Sequence, residues 1–163
     1  MFAGIIPTMP TDWFADRFGT ENKGKMVVQT QNLMSAMDGL KVCKFALSGK
    51  VSVDEMARWV SWVTGWEISP AELMETGERL FNLKRMYNTR LGLSRKDDTL
   101  PSRLLTSKRK TGGAAEFLPR LGEQLSDYYE ARGWTEEGLP TAGTLERLGL
   151  GFTVVDLPGG RAR

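Results

Sequence analysis

The sequence contains no histidine and only one cysteine, Cys43, among its 163 residues. Without histidine the chain cannot form a Ser-His-Asp triad, a Cys-His pair or an imidazole metal site. A nucleophile or general base would have to be an Asp, Glu, Lys or Tyr side chain, or Cys43 itself. A single cysteine also excludes an intramolecular disulfide. That usage is typical of a reducing compartment, so we expect a cytoplasmic location.

Long apolar runs and a dominant charge are also lacking. No run reaches the roughly 18 apolar residues of a transmembrane helix, so we expect no membrane partner. Residues 1–10 are apolar but lack the basic region of a signal peptide and are interrupted by glycine and proline. The chain has 22 Lys and Arg against 20 Asp and Glu, a net charge of +2. This balance does not indicate a nucleic-acid partner.

Helical periodicity is what the sequence does contain. Thr20 predicts the N-cap of a helix over 21–37, after a turn-rich segment at 1–20. Ser52 and Glu55 have capping-box spacing, and the helix that they begin should end at Gly65. The apolar residues Met56, Trp59, Val60 and Val63 recur there at helical spacing.

A third, longer helix is predicted from Ser69 to Gly92. Ser69, Pro70 and Glu72 supply an N-cap, a first-turn proline and an N3 carboxylate. Gly77 would allow close approach of a neighbour, beside an expected core stripe of Leu73, Leu80, Phe81, Tyr87 and Leu91.

The remaining segments complete an all-α prediction. A long connection covers 93–115, a helix covers 117–132 and ends at Gly133, and a short helix follows Thr141. The run 152–155 looks strand-like. We expect an all-α fold, a multihelical orthogonal bundle with a long connecting loop and an irregular N-terminal segment. Its helical domain would span 1–150, and 151–163 would form a flexible tail.

Three features leave alternatives open. The basic run 108–110 suits a phosphate or ferredoxin-docking patch, although a solvated loop is favoured. Asp97 and Asp98 suit a hard cation, although loop solvation or capping is favoured. Trp59, Trp62 and Trp66 share one helix side and suit base stacking, although packing in the core or at a domain interface is favoured.

The segment DGLKVC, residues 38–43, is the best candidate for a functional site. Helical periodicity stops at Met37, and a turn containing Gly39 could present the Asp38 carboxylate and the Cys43 thiol to one ligand. Neighbouring lysines favour the thiolate, which is the form that binds metals. From these residues alone, an inert packed cysteine remains the favoured alternative.

Four blocks, in order, carry a resemblance to a known family. They are FGTENKGKMVVQTQN (18–32), DGLKVCKFA (38–46), TGWEISPAELMETGERLFNLKRMYNTRLGLSRKDDTLPSRLL (64–105) and LSDYYEARGWTEEGLPTAGTLERLGL (125–150). From about Trp13 to Leu150 the chain resembles the C-terminal region of the tungsten-containing aldehyde ferredoxin oxidoreductases. The family motif at the turn is Asp-x-x-Gly-Leu-Cys. Lys41 stands at its glycine position and Val42 at its leucine position.

The resemblance implies roles for these residues and an activity. Asp38 would hydrogen-bond a pterin ring amine, Val42 would belong to the same cofactor-binding turn, and Cys43 would be the fourth thiolate of a [4Fe–4S] cluster. The enzyme would oxidise an aldehyde to a carboxylic acid at a tungsten or molybdenum bispterin centre and reduce ferredoxin. No residue of this chain would be catalytic.

The resemblance also implies missing parts. In the family the other three cluster cysteines and the second pterin turn lie upstream, so the partners would be upstream domains of the same enzyme or a second subunit. The chain alone is then expected to hold no cofactor and to be inactive. Two other functions remain open: a non-enzymatic helical interaction module using the tryptophan and methionine surface, and a weak nucleic-acid binder using 108–110 and the C-terminal arginines.

Overall fold

The structure is a computed structural model that describes residues 5–6, 10, 12 and 16–159. In these residues the α-helices are α1 (Lys23–Leu40), α2 (Val53–Thr64), α3 (Pro70–Arg90), α4 (Ser102–Thr106), α5 (Leu121–Arg132) and α6 (Ala142–Arg147). Short 3-10 helices occupy Lys44–Gly49, Arg95–Asp97 and Gly151–Asp156. The same residues form no strand, and Trp134 and Pro140 make an isolated bridge. The predicted all-α class is confirmed.

The predicted starts of α2 and α3 are confirmed by their caps. Ser52 Oγ accepts a hydrogen bond from the Glu55 amide at 3.3 Å, and Glu55 Oε2 accepts one from the Ser52 amide at 2.7 Å. Ser69 and Glu72 repeat this reciprocal arrangement at 3.2 and 2.8 Å. Gly65 ends α2 in the left-handed conformation. These local hydrogen bonds satisfy backbone groups that a helix end leaves unpaired.

Helix α1 is the centre of the bundle, since it packs against both α3 and α5. At Gly77 of α3 a Cβ atom would overlap the carbonyl oxygen of Asn32 in α1, so only glycine permits this approach. At the other contact the amide of Gly24 donates to Asp127 Oδ2 of α5 at 2.7 Å. The predicted close approach at Gly77 is therefore confirmed.

Two apolar clusters hold the helices together. The larger cluster joins α1, α2, α3 and the 3-10 helix Lys44–Gly49 and contains Ile5, Ile6, Leu33, Ala36, Met37, Leu47, Val53, Met56, Ala57 and Leu73. The smaller cluster is at the other end of α3 and contains Met86, Leu145, Leu148 and Leu150. Burial of these side chains is the main favourable term in the folding of the bundle.

A buried polar contact joins α1 to α5. The Arg132 side chain is 1% exposed and donates to Asn32 Oδ1 at 2.6 Å and to Gln31 Oε1 at 2.7 Å. Its guanidinium also lies over the Phe81 ring, 4.1 Å from the centroid. Burial lowers the pKa of Arg132 from its ordinary value, but these partners compensate for the lost hydration.

Several predicted boundaries are wrong. Helix α1 spans 23–40 rather than 21–37, and Asn22 rather than Thr20 is its N-cap. The strand-like run 152–155 lies in a 3-10 helix. The connection 93–115 contains a 3-10 helix and α4. The irregular N-terminal segment and residues 160–163 of the expected tail lie mainly or wholly outside the described residues, so the flexible tail stays a prediction.

The predicted core stripe of α3 is also partly wrong. Tyr87 is 66% exposed and Leu91 is exposed, whereas Arg85 and Met86 are buried. Arg85 is drawn inward because its Nε donates to the carbonyl of Gly138 at 2.8 Å. A partner 53 residues away therefore changes which side of α3 is buried. Similarly, Val63 of the predicted α2 face is exposed.

Candidate functional site

The bend that carries Cys43 is formed by the C-terminal end of α1. The Val42 amide donates to the carbonyl of Met37 at 3.0 Å, and the Lys41 amide donates to that of Asp38 at 3.3 Å. This pair of bonds is a Schellman motif, which places its C′ residue in the left-handed conformation. That residue is Lys41, with φ of 60°. The helix thus includes Asp38, and the predicted break at Met37 occurs three residues later.

The thiol of Cys43 lies on the surface just beyond this bend. Cys43 is exposed, with extended backbone (φ −65°, ψ 134°), and precedes the 3-10 helix Lys44–Gly49. Asp38, in the last turn of α1, is also exposed. The expectation that Cys43 is packed in the interior is therefore wrong. Both proposed ligand groups are accessible from outside the chain, one on each side of Lys41.

Val42 has a packing role in the structure. As the residue after C′, it contacts the larger apolar cluster, which contains Met37 of the same Schellman motif. Apolar packing of the residue after C′ commonly accompanies such motifs. The half-buried Val42 side chain therefore fixes the direction in which the chain leaves α1, and this direction determines where Cys43 lies. Its role in the cofactor-binding turn stays a prediction.

The donor set of the bend fits a shared cluster ligand. Among the residues that the structure describes, no group of three or more His, Cys, Asp or Glu side chains could hold a metal ion. The chain has one cysteine, so it could contribute at most one thiolate to a [4Fe–4S] cluster, which needs four ligands. Phe45, two residues further, is 72% exposed. The exposed positions of Cys43 and Phe45 leave this part of the surface open to contact with another segment.

Asp97 and Asp98 make protein contacts in place of the cation contacts considered from the sequence. Asp97 Oδ2 accepts from the Ser94 amide at 2.9 Å. Asp98 accepts from two nitrogens of Arg85 at 2.9 and 2.6 Å and from the Tyr129 hydroxyl at 2.6 Å. Burial, together with the hydrogen bond to Asp98, raises the pKa of Tyr129. Sequence analysis did not identify this cluster, because its members come from three separate segments.

The tryptophans of the α2 region do not pack in a core within this chain. Trp62 is 75% exposed, Trp66 is 69% exposed and Trp59 is partly exposed. The expectation of core packing is therefore wrong, and packing at a domain interface stays a prediction.

The basic run 108–110 lies in an exposed loop, where Lys108 Nζ pairs with Glu116 Oε2 at 2.9 Å. Over the described residues, no helix has the length and apolar character needed to cross a bilayer.

Comparison with a solved structure supports the fold. The active-site complex BamBC of benzoyl coenzyme A reductase, with bound 1,5-dienoyl-CoA, superposes with a TM-score of 0.69. The match covers 93% of this chain and 25% of that chain, at 22% sequence identity. At this identity the likeness concerns the fold alone.

Comparisons of sequence identify the family. The model of the aldehyde ferredoxin oxidoreductase family, domains 2 and 3, matches residues 6–150. Tungsten-containing aldehyde ferredoxin oxidoreductases from Pyrococcus abyssi, Pyrococcus horikoshii and Pyrococcus furiosus are 36%, 35% and 33% identical over 132 residues. Each match covers 80% of this chain but 22% of the relative, so the chain spans about a fifth of their length. The resemblance is confirmed: the chain belongs to the aldehyde ferredoxin oxidoreductase family and matches its domains 2 and 3.

Proposed function

We propose that this chain is the part of an aldehyde-oxidising enzyme that gives one thiolate to a [4Fe–4S] cluster and one carboxylate contact to a pterin. The complete enzyme would convert aldehydes to carboxylic acids and reduce ferredoxin in the cytoplasm. The observation that carries the proposal is the exposed thiol of Cys43 at the end of α1, in a chain that matches the family over 6–150.

Each residue of the bend has a separate role in this proposal. Cys43 holds the cluster through sulfur, Asp38 accepts hydrogen bonds from pterin N–H groups, and Val42 keeps the bend in place by packing on the core. The bound tungsten or molybdenum pterin would supply the oxidation chemistry, and the cluster would carry the electrons. No residue of this chain acts as a general base, so its tasks are holding, orienting and shielding the cofactors.

The remaining ligands must come from outside the chain. Upstream domains or a second subunit would bring three cysteines, the second pterin contact and most of the aldehyde site. The exposure of Phe45 beside Cys43 supports such a covering segment. We expect the chain by itself to bind neither cofactor and to be inactive, and near-stoichiometric iron or tungsten in the purified chain would contradict this.

The test is co-production of this chain with the rest of the enzyme, followed by metal, sulfide and pterin analysis and electron paramagnetic resonance. Cys43→Ser should reduce the iron content or alter the cluster spectrum while tungsten is retained. Asp38→Asn should reduce the pterin content. The matched controls are Ser48→Ala in the same segment and Asp54→Asn on α2, which should leave both unchanged. A Cys43→Ser enzyme with a full, spectroscopically unchanged cluster would refute the assignment.

A non-enzymatic helical interaction module is the second candidate, and the exposed tryptophans favour it. It would be preferred if the co-produced complex contained neither iron nor tungsten although the chain stayed bound to its partner.

The hypothesis of nucleic-acid binding depends in part on Arg161 and Arg163, which lie outside the described residues. We expect no salt-dependent DNA binding beyond the non-specific.

A further inference from the structure

A cavity of about 780 Å³ lies between the segment that precedes α1 and the connection from α4 to α5. Its volume is within the range of small-molecule sites. The cavity is at the N-terminal end of α1, whereas Cys43 follows the C-terminal end. An α-helix of 18 residues is about 27 Å long, so the cavity is remote from the proposed cluster ligand.

The described part of the cavity wall is predominantly cationic. Its described lining residues include no carboxylate and five cationic side chains, namely Arg17, Arg103, Lys108, Arg109 and Arg120. Lys108 and Arg120 pair with glutamates outside the wall, Glu116 at 2.9 Å and Glu123 at 3.4 Å. Among the described residues, the guanidinium groups of Arg103 and Arg109 have neither an ion pair nor a hydrogen bond. Such groups present forked donors that suit a carboxylate or a phosphate.

The rest of the wall is apolar. Phe18 and Phe117 stack with ring centroids 3.8 Å apart and planes at 7°, and Leu100, Leu104 and Leu118 lie alongside. A second cavity of about 460 Å³ shares Arg17, Gly19 and Gln124 with the first. The apolar side chains in its wall are Met26, Val27 and Leu125. The cationic region therefore continues into an apolar one.

We propose that the first of these cavities binds an amphipathic anion, with its carboxylate or phosphate on Arg103 and Arg109 and its apolar body against Phe117 and Leu104. The concave shape favours a small molecule over the surface of an acidic protein. Unpaired guanidinium groups bind the head, and burial of the hydrocarbon adds affinity that a bare anion cannot gain. This site is separate from the bend at Cys43 and does not depend on the proposed function.

Isothermal titration calorimetry of the chain at pH 7.5 and low salt tests the proposal. The probes are octanoate, octyl phosphate, inorganic phosphate and octylammonium. Both octyl anions should bind saturably, at least about tenfold more tightly than inorganic phosphate or octylammonium. A preference for octyl phosphate over octanoate identifies phosphate as the head group, and the reverse preference identifies carboxylate.

Variants locate the binding. Arg103→Gln and Arg109→Gln should each weaken binding of the octyl anions by about tenfold. Because these side chains have no partner among the described residues, both variants should keep the wild-type melting temperature. Arg58→Gln, an exposed arginine of α2 outside the cavity, is the charge-matched control and should bind as the wild type does. Absence of saturable binding, equal affinity for octylammonium, or an unchanged affinity in the Arg103→Gln/Arg109→Gln double variant would overturn the proposal.

Discussion

Lys41 adopts a backbone conformation that glycine would adopt at lower cost. Its φ of 60° is required by the Schellman motif that ends α1, and a side chain in this region costs about 1 kcal/mol or more. The resemblance places Lys41 at the glycine position of the family motif. The structure supplies the physical reason for glycine there, and it also shows that lysine maintains the same bend.

Replacing Lys41 with glycine should therefore stabilise the fold. We expect Lys41→Gly to raise the free energy of unfolding by about 0.5–1 kcal/mol, since the strain outweighs the entropy that glycine adds to the unfolded chain. Urea denaturation measures this. Lys44→Gly, within the neighbouring 3-10 helix, is the control and should destabilise the chain. A lower stability for Lys41→Gly would contradict the strain argument.

Asp98 links the stability of the fold to pH. Burial by itself would raise the pKa of Asp98, but the hydrogen bonds from Arg85 and Tyr129 and the Arg85 charge outweigh burial and lower it. Because the folded-state pKa is below that of the unfolded chain, the carboxylate stabilises the fold above about pH 4. That contribution is lost as the pH falls from this value through the folded-state pKa.

Asp98→Asn should cost about 3 kcal/mol at pH 7, because it leaves the buried Arg85 guanidinium without its carboxylate. The difference from the wild type should shrink as the pH falls below 4. Urea denaturation across this range measures both effects. Asp97→Asn, which alters an exposed cap, should cost about 1 kcal/mol or less. A pH-independent difference for Asp98→Asn would contradict the linkage.

At the scale of elements, the α1–α3 contact depends on backbone approach at Gly77. A methyl group there would meet the carbonyl of Asn32, which is part of the α1 backbone and cannot rotate away. The helices would have to separate and loosen the larger apolar cluster. We therefore expect Gly77→Ala to destabilise the chain by about 3 kcal/mol.

Gly122→Ala is the control for this contact. Gly122 is in α5, and a Cβ at that position meets no atom of the described residues within 4 Å. Alanine should stabilise this helix by about 0.5–1 kcal/mol. Thermal unfolding of the two variants provides the measurement. Equal effects of the two substitutions would mean that α1 and α3 can adjust without loss.

At the scale of the whole molecule, the exposed tryptophans leave an uncovered apolar surface. Trp62 and Trp66 lie at the end of α2 and just beyond it, and Val63 between them is also exposed. Exposed apolar patches of this kind promote association. The chain should therefore self-associate at concentrations where most small domains are monomeric.

Sedimentation velocity over a range of concentrations tests this expectation. Trp62→Ser and Trp66→Ser should each shift the chain toward the monomer. Phe152→Ser removes an aromatic side chain of similar exposure, 71%, outside this surface and should change little. A wild-type chain that is monomeric throughout the range, or equal effects of all three variants, would contradict the role of the tryptophans.

The sequence by itself determined the local features of this protein. Helix starts at Ser52, Ser69 and Thr141 and helix ends at Gly65 and Gly133 were predictable, because capping depends on residues a few positions apart. The family was also recognisable from ordered blocks of sequence, and Asp38 and Cys43 could be selected as candidates from their place in its motif.

Only the tertiary structure decided which side chains are buried and where the candidate residues lie. Arg85 and Arg132 are buried because hydrogen-bond partners from distant segments offset the lost hydration of their guanidinium groups, whereas Tyr87 is exposed. Helical periodicity does not reveal partners that are distant in the sequence. The exposed thiol of Cys43 and the cationic cavity likewise depend on how α1 packs against the rest of the chain. Local rules define the ends of a helix, but long-range contacts define its faces.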